Sequence, residues 1–298
     1  MKTVIAVLLP TFASIVIACG GDSNGNETAA PSPTKEPAAE IPVVEITKTA
    51  EGFEAPDSIP GGLTRIRVHN ADTREHAVSF ERFRGDGTLE EHTAAYRLGA
   101  TEGFAASAAA IGRLTTVEGG TGLIAPGGEE EVVLDLAPGR YVILRFPLNV
   151  GLSRELTVTA PPAGAPDARP APPESAFTVN MIEFAYEGFP DTLPAGKTEV
   201  EVVNEGEQLH VMLVHRVNED GITAEQVSQH LGGRPLPMAP SYTAAGGIGE
   251  LESGASGWVT LDLEPGVYTL TCIVFDQSDG MFGKLHTDLG MHHAFTVE

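Results

Sequence analysis

The sequence is poor in cysteine and in positive charge. Its 298 residues include 2 cysteines and 18 lysines and arginines against 41 aspartates and glutamates, for a formal net charge of -23. Two cysteines are too few for a disulfide-stapled scaffold or a four-thiolate metal site. Such an acidic chain repels phosphate backbones, so nucleic acid is not an expected partner. The length suits one large or two ordinary domains.

The sequence also lacks a hydrophobic run that would span a bilayer comfortably. The longest apolar stretch, Val4 to Ala18, has the length of a signal-peptide core and follows a positively charged start. Its end, VIAC at 16–19, resembles the lipobox of bacterial lipoproteins, which implies that Cys19 is lipidated. We therefore expect a signal peptide over 1–18, a disordered tether over 19–40, and a protein anchored to the membrane outside the cytoplasm, in the periplasm or at the cell surface.

With Cys19 lipidated, Cys272 would have no cysteine partner. A lone thiol in an oxidising compartment requires an explanation, such as burial or metal binding. No nucleophile-elbow serine, phosphate-binding loop or zinc-protease helix is recognisable in the sequence. The neighbours of Cys272 are therefore the most informative part of the chain.

A proline-rich segment separates two related halves. Residues 161–175 contain six prolines and read as an extended linker between segments 41–160 and 176–298. Asn70 and His76 match Asn204 and His210 at an offset of 134 residues, and the stretch VVLDLAPGRY at 132–141 matches VTLDLEPGVY at an offset of 127. These constant offsets indicate a duplication.

Each half has short alternating segments of the kind found in β-sandwiches. Residues 64–68 and 197–202 place apolar side chains on one face, and Pro-Gly and Gly-Gly pairs mark turns between such segments. Thr88 and Thr223 are each followed three residues later by Glu or Gln, as in a capping box that starts a helix. We predict an all-β protein with two tandem Greek-key β-sandwiches, each with a short helical insertion.

The second half carries the residues with metal-binding chemistry. His210 follows a predicted strand that ends at Asn204, and Cys272 ends the strand that begins at Pro265-Gly266. His286 and Met291 come next, before a last predicted strand. These residues resemble those of the cupredoxins, the family of blue copper proteins with a β-sandwich fold.

The resemblance implies one copper ion in the second half. In cupredoxins two histidines, one cysteine and a weak axial methionine bind the metal, and these roles fall on His210, Cys272, His286 and Met291. Thiolate and imidazole ligands in a trigonal set with a long thioether contact suit single-electron transfer. The first half keeps His76 but has Arg145 in the cysteine column, so it is predicted to be degenerate, with His76 in a structural role.

The spacing after the cysteine departs from the family pattern. Thirteen residues separate Cys272 from His286, where familiar cupredoxins have only a few. The extra residues could form a small hairpin that returns His286 to the metal, or could leave the site unassembled. His292 and His293 are alternative imidazole ligands, and Met281 is an alternative thioether.

Three functions compete at this stage. The first is a membrane-anchored copper protein that transfers single electrons to a partner protein or holds copper. The second is a metal-free binding module in which Cys272 is merely buried. The third is a copper enzyme such as a multicopper oxidase or nitrite reductase; Thr271 and Ile273 flank Cys272 where such enzymes have histidines, so the sequence predicts that the protein is not an enzyme.

Overall fold

The computed structural model describes residues 39–146, 152–160, 169–231, 234, 236–278 and 283–298. The predicted signal peptide, Cys19, nearly all of the tether, Met281 and the first eight residues of the linker lie outside this range. Residues 38–298 cluster into one compact unit. Among the described residues no helix is long and apolar enough to cross a membrane.

The first half contains nine strands and two helices in its described part. They are β1 (Val43–Lys48), β2 (Phe53–Glu54), β3 (Ser58–Pro60), β4 (Gly62–Asn70), β5 (Ala77–Phe83), α1 (Leu89–Thr101), α2 (Phe104–Leu114), β6 (Thr115–Leu123), β7 (Glu129–Leu136), β8 (Gly139–Phe146) and β9 (Ser153–Thr159).

The second half repeats this order with one α-helix. Its described elements are β10 (Phe177–Ile182), β11 (Ala185–Glu187), β12 (Thr192–Leu193), β13 (Gly196–Asn204), β14 (His210–Val217), α3 (Ala224–Leu231), β15 (Tyr242–Leu251), β16 (Ser256–Leu263), β17 (Gly266–Thr271), the 3-10 helix His286–Leu289 and β18 (His292–Val297).

The predicted all-β class is confirmed, because the strands form two large mixed sheets. One sheet has the order β11-β10-β13-β16-β7-β4-β1-β2, and the other has the order β12-β18-β17-β14-β15-β6-β5-β8-β9-β3. In β4 and β13 every second side chain is buried, as expected of strands with one face on a core. Each half therefore contributes strands to both sheets, and the apolar core lies between the two sheets.

Both sheets continue from one half into the other. β7 pairs antiparallel with β16, and β6 pairs antiparallel with β15. Val132 lies opposite Val259, and Thr121 lies opposite Ile248; each pair joins positions that are 127 residues apart, which is the offset of the repeat. The two copies are thus related by a pseudo-two-fold axis through both junctions, and the edges that isolated sandwiches would expose are paired with each other.

Glycines permit the close approach at one junction. A side chain at Gly122 would come within 2.3 Å of the carbonyl oxygen of Gly246 in the other half. Within each half, a side chain at Gly120 would meet the Val78 carbonyl oxygen at 2.2 Å, and one at Gly247, where φ is +119°, would meet the Met212 carbonyl oxygen at 1.9 Å. These contacts leave no room for a larger residue at Gly122 or in the Gly-Gly pairs of the two copies.

Both predicted capping boxes are present. Thr88 Oγ1 accepts the Glu91 amide while the Glu91 carboxylate accepts the Thr88 amide, and Thr223 and Gln226 exchange the same pair of bonds. The first half differs from the prediction of one short insertion, because it has two helices. They are separated at Gly103, whose φ of +94° ends the helical backbone conformation.

Candidate metal centre

The ends of three strands and the start of a 3-10 helix bring the predicted ligands to one end of the second half. His210 is the first residue of β14, Cys272 follows β17, His286 begins the 3-10 helix and Met291 precedes β18. Because β14 and β18 both pair with β17, the ends of these three strands are neighbours. All four side chains are fully buried.

The structure brings three of these residues together. His210 Nδ1 lies 3.0 Å from His286 Nδ1, and Cys272 Sγ lies 4.0 Å and 3.4 Å from these two nitrogens respectively. A trigonal metal with bonds of about 2.0 Å to nitrogen and about 2.3 Å to sulfur would separate its donors by about 3.5 Å. The three donor atoms therefore already surround a space of metal size.

Burial sets the protonation of the cluster. It lowers the pKa of His210 and, together with the neighbouring His210 ring, lowers the pKa of His286 to about 4. It also raises the pKa of the Cys272 thiol to about 12. Both imidazoles are thus neutral and able to offer lone pairs, whereas a metal must displace the thiol proton to bind.

Thr287 fixes the backbone around the cysteine. Its hydroxyl accepts the Cys272 amide at 3.1 Å and lies 3.0 Å from the Cys272 carbonyl oxygen and 3.1 Å from that of Met291. The Met291 carbonyl is itself 3.4 Å from the Cys272 amide nitrogen. Met291 is therefore held next to Cys272, and its role as an axial ligand stays a prediction.

A second group of residues surrounds the two imidazoles. Glu183 accepts backbone amides from Glu207 and Gln208, and its Oε1 lies 3.7 Å from His210 Nε2. Gln208 Oε1 lies 3.4 Å from His286 Nε2. Carboxylate and amide oxygens near the outer ring nitrogens favour a proton there, which leaves each Nδ1 free to bind a metal.

Sequence reasoning missed Glu183, Gln208 and Thr287. Glu183 lies in the turn between β10 and β11, far from the ligands in sequence, and the next residue, Phe184, has a φ of +66°. The Phe184 ring packs edge-on against the His286 ring, with centroids 5.1 Å apart. Gln208 could have been noticed from its position between Asn204 and His210, because the Asn204 side-chain amide donates to the Gln208 carbonyl oxygen.

The long segment after the cysteine has the base of a hairpin. Phe275 pairs with Leu285 in an antiparallel bridge, and the Asp276 amide donates to Lys284 O. The His286 amide then donates to Val274 O at 2.8 Å. The insertion thus returns the chain to the cluster, which resolves the question that its length raised.

The alternative histidines lie outside the cluster. His292 is exposed, and His293 lies 3.5 Å from Asp191 at the surface. Of the histidines, cysteines and carboxylates in the described part of the chain, His210, Cys272 and His286 are the group whose ligand atoms all lie within 4.8 Å of one another.

The equivalent position in the first half holds a buried ionic cluster. His76 Nε2 lies 2.8 Å from Asp72 and 3.3 Å from Arg145, the residue in the cysteine column. The fully buried Lys48 lies 3.5 Å from the same Asp72 carboxylate. Because a guanidinium and an ammonium occupy this space, the first half is unsuited to a cation, and His76 has a structural hydrogen-bonding role.

The donor set in the second half fits one copper ion. Two imidazole nitrogens and one thiol sulfur converge, and the described residues show no carboxylate among the three. Soft sulfur with imidazole in a trigonal array is characteristic of copper sites that cycle between oxidation states. The residues present thus match the predicted cofactor in number and type.

The solved structures to which the chain is similar include copper proteins. No family model and no curated protein matches the chain. A reduced auracyanin from Roseiflexus castenholzii is similar, with 20% identity over 41% of this chain and 94% of that one and a TM-score of 0.29. A multicopper oxidase aligns over 86% of this chain and 88% of its own, with 14% identity and a TM-score of 0.23.

The same comparison corrects one prediction. A copper-containing nitrite reductase from Thermus scotoductus aligns over 86% of this chain and 61% of its own, with 12% identity and a TM-score of 0.23. The prediction that the protein is not an enzyme is contradicted, because the similar solved structures include copper enzymes. The chain is built from two related β-sandwich copies that share both sheets, and its second copy has a His-Cys-His cluster that fits copper.

Proposed function

We propose that the protein is a copper-dependent electron carrier, held outside the cytoplasmic membrane by lipid on Cys19. The observation that carries the proposal is the convergence of His210 Nδ1, His286 Nδ1 and Cys272 Sγ at 3.0 to 4.0 Å in a fully buried site. Copper held there would supply a one-electron redox couple. His210, Cys272, His286 and Met291 would hold it.

The surrounding residues favour a rigid site. Asn204 donates to the carbonyl oxygens of Gln208 and Leu251 at 2.8 Å each, and so fixes the loop that leads to His210. Thr287 holds Cys272 on the other side. A site whose ligands are held in place changes little when the charge of its occupant changes, and a small reorganisation favours rapid electron transfer.

The setting of the site is consistent with a carrier. Burial of the three donors excludes water from the position that they surround. The proposal assigns a redox protein as the partner, with attachment to the membrane through Cys19 keeping the two proteins in one plane. The net charge of -23 favours a cationic docking surface on that partner.

Copper(II) titration of the purified protein tests the proposal. We expect one equivalent to produce intense visible absorption from thiolate-to-copper charge transfer, and Cys272→Ser to abolish the colour. His292→Ala, a surface histidine in the same region, should leave the colour unchanged. A colourless wild-type protein whose melting temperature does not change with copper would refute the proposal and favour the metal-free binding module, because a ligand of the folded state must raise stability.

A further inference from the structure

A cavity of about 520 Å³ lies between the two halves, beside the metal cluster. Its walls come from β5, α1, α2 and β6 of the first half and from α3, β15 and the segments around β14 and Cys272 of the second. This volume lies within the range of about 300 to 1,000 Å³ that is typical of small-molecule sites. Most of the lining is apolar, including Ile111, Leu209 and Val211.

The charge of the lining has one sign. Glu81, Glu207, Glu250 and Glu252 all contribute to it, and the described lining residues include no lysine, arginine or histidine. Four carboxylates around an apolar space attract a positively charged ligand and disfavour an anion.

The carboxylates differ in the number of hydrogen bonds that they accept from protein groups. Glu81 is fully engaged, with bonds from Tyr96, His92 and Thr115. Glu250 has the Ser79 hydroxyl, at 3.2 Å, as its side-chain donor in the described part of the chain, and Glu252 accepts the Val117 amide at 3.3 Å. Glu250 and Glu252 therefore retain the capacity to accept bonds from a ligand.

Glu250 and Glu252 are half-buried, so each carboxylate is partly shielded from water. Burial, together with the nearby Glu81 carboxylate, raises the pKa of Glu250. A cationic donor beside Glu250 would offset both effects. An aromatic pair adds to the fit, since Phe104 of the first half and Phe275 of the second lie 5.1 Å apart between ring centroids, and such rings favour cations and flat apolar bodies.

The cavity also touches residues next to each member of the metal cluster. Ile273 and Val274 directly follow Cys272, and Val211 directly follows His210. Gln208 lines the cavity while its Oε1 lies 3.4 Å from His286 Nε2. A molecule in the cavity would thus be one residue away from the cluster.

We propose that this cavity binds a small organic ammonium ion, with the charged nitrogen at Glu250 and Glu252 and the apolar body against Ile111 and Phe275. The site requires both halves of the chain, because each half supplies part of the wall. This assignment gives the first half a function, although Arg145 stands where the second half has the metal-binding Cys272.

Calorimetric titration of the metal-free full chain with tryptamine, which is an ammonium ion at pH 7, tests the proposal. Tryptophol, in which a hydroxyl replaces the ammonium group on the same indole body, is the matched ligand. We expect tryptamine to bind at least about tenfold more tightly than tryptophol, since a charge-assisted hydrogen bond is worth one factor of ten or more. Equal affinity for the two, or no binding of either, would overturn the proposal.

Two variants localise the binding. Glu250→Gln should weaken tryptamine binding about tenfold and leave tryptophol binding unchanged. Ala108→Leu should fill the cavity from α2 and weaken both ligands, whereas Ala109→Leu, on the exposed side of the same helix, should weaken neither. Tryptamine binding that is the same in Ala108→Leu as in Ala109→Leu would place the ligand elsewhere. Because copper is absent, this result is independent of the proposed copper function.

Discussion

Replacing Thr287 with valine should destabilise the protein through one buried amide. Valine has nearly the shape of threonine, so the change removes the hydroxyl and leaves the packing intact. The hydroxyl is the acceptor of the Cys272 amide at 3.1 Å, and the remaining acceptor, the Met291 carbonyl, is at 3.4 Å. The Cys272 carbonyl loses little, because it also accepts the Thr287 amide at 3.1 Å.

A buried donor with no partner costs about 1 to 3 kcal/mol, and a donor left with one long hydrogen bond costs part of that. We therefore expect Thr287→Val to lower the free energy of unfolding of the metal-free protein by about 1 kcal/mol, measured by urea denaturation. Thr157→Val is the matched control, since Thr157 is exposed on β9, and it should change stability by less than about 0.5 kcal/mol. Equal stabilities of the two variants would show that the Thr287 hydroxyl does not hold the cysteine segment.

Two further predictions concern buried charge. In the first half, Arg145→Leu should preserve or raise the melting temperature, because it leaves the Lys48–Asp72 pair balanced, whereas Asp72→Asn should lower it by stranding two cations; the same shift in both variants would contradict this account. In the second half, burial lowers the pKa of His215 to about 3, and both of its ring nitrogens lack partners in the described part of the chain. Unfolded His215 would bind a proton below about pH 6.5. Wild-type stability should therefore fall relative to His215→Leu by up to about 1.4 kcal/mol per pH unit between pH 6.5 and 3, as urea denaturation at several pH values would show, and parallel pH profiles would refute the assignment.

Local signals in the sequence predicted much of the fold. The capping boxes at Thr88 and Thr223 depend on residues three apart, and the alternation in β4 and β13 depends on a period of two. Such patterns are readable because the interacting groups are neighbours in the chain. Because the two halves are repeats, a pattern found in one half predicted the same element in the other.

The pairing of strands that are far apart in the sequence could not be predicted from local patterns. Strands β7 and β16 have the composition of ordinary half-buried strands, so nothing local marks them as the junction where one half joins the other. The repeat offset indicates this junction only once Val132 is known to lie opposite Val259. The sequence predicted two tandem sandwiches, and it did not reveal that they share both sheets.

The site shows the same division. His210, Cys272, His286 and Met291 could be proposed from the resemblance to cupredoxins, and the structure brings the first three together. Glu183 escaped notice because it reaches His210 from a turn of another strand pair. The hairpin base at Phe275 and Leu285 explains how a long insertion still delivers His286, which spacing alone left open.

The most direct test of the central claim is X-ray absorption at the copper edge of protein loaded with one equivalent of copper. The account predicts one copper per chain with one sulfur and two imidazole nitrogens as its close ligands, supplied by Cys272, His210 and His286. A coordination shell of nitrogen and oxygen alone, unchanged in Cys272→Ser, would contradict it.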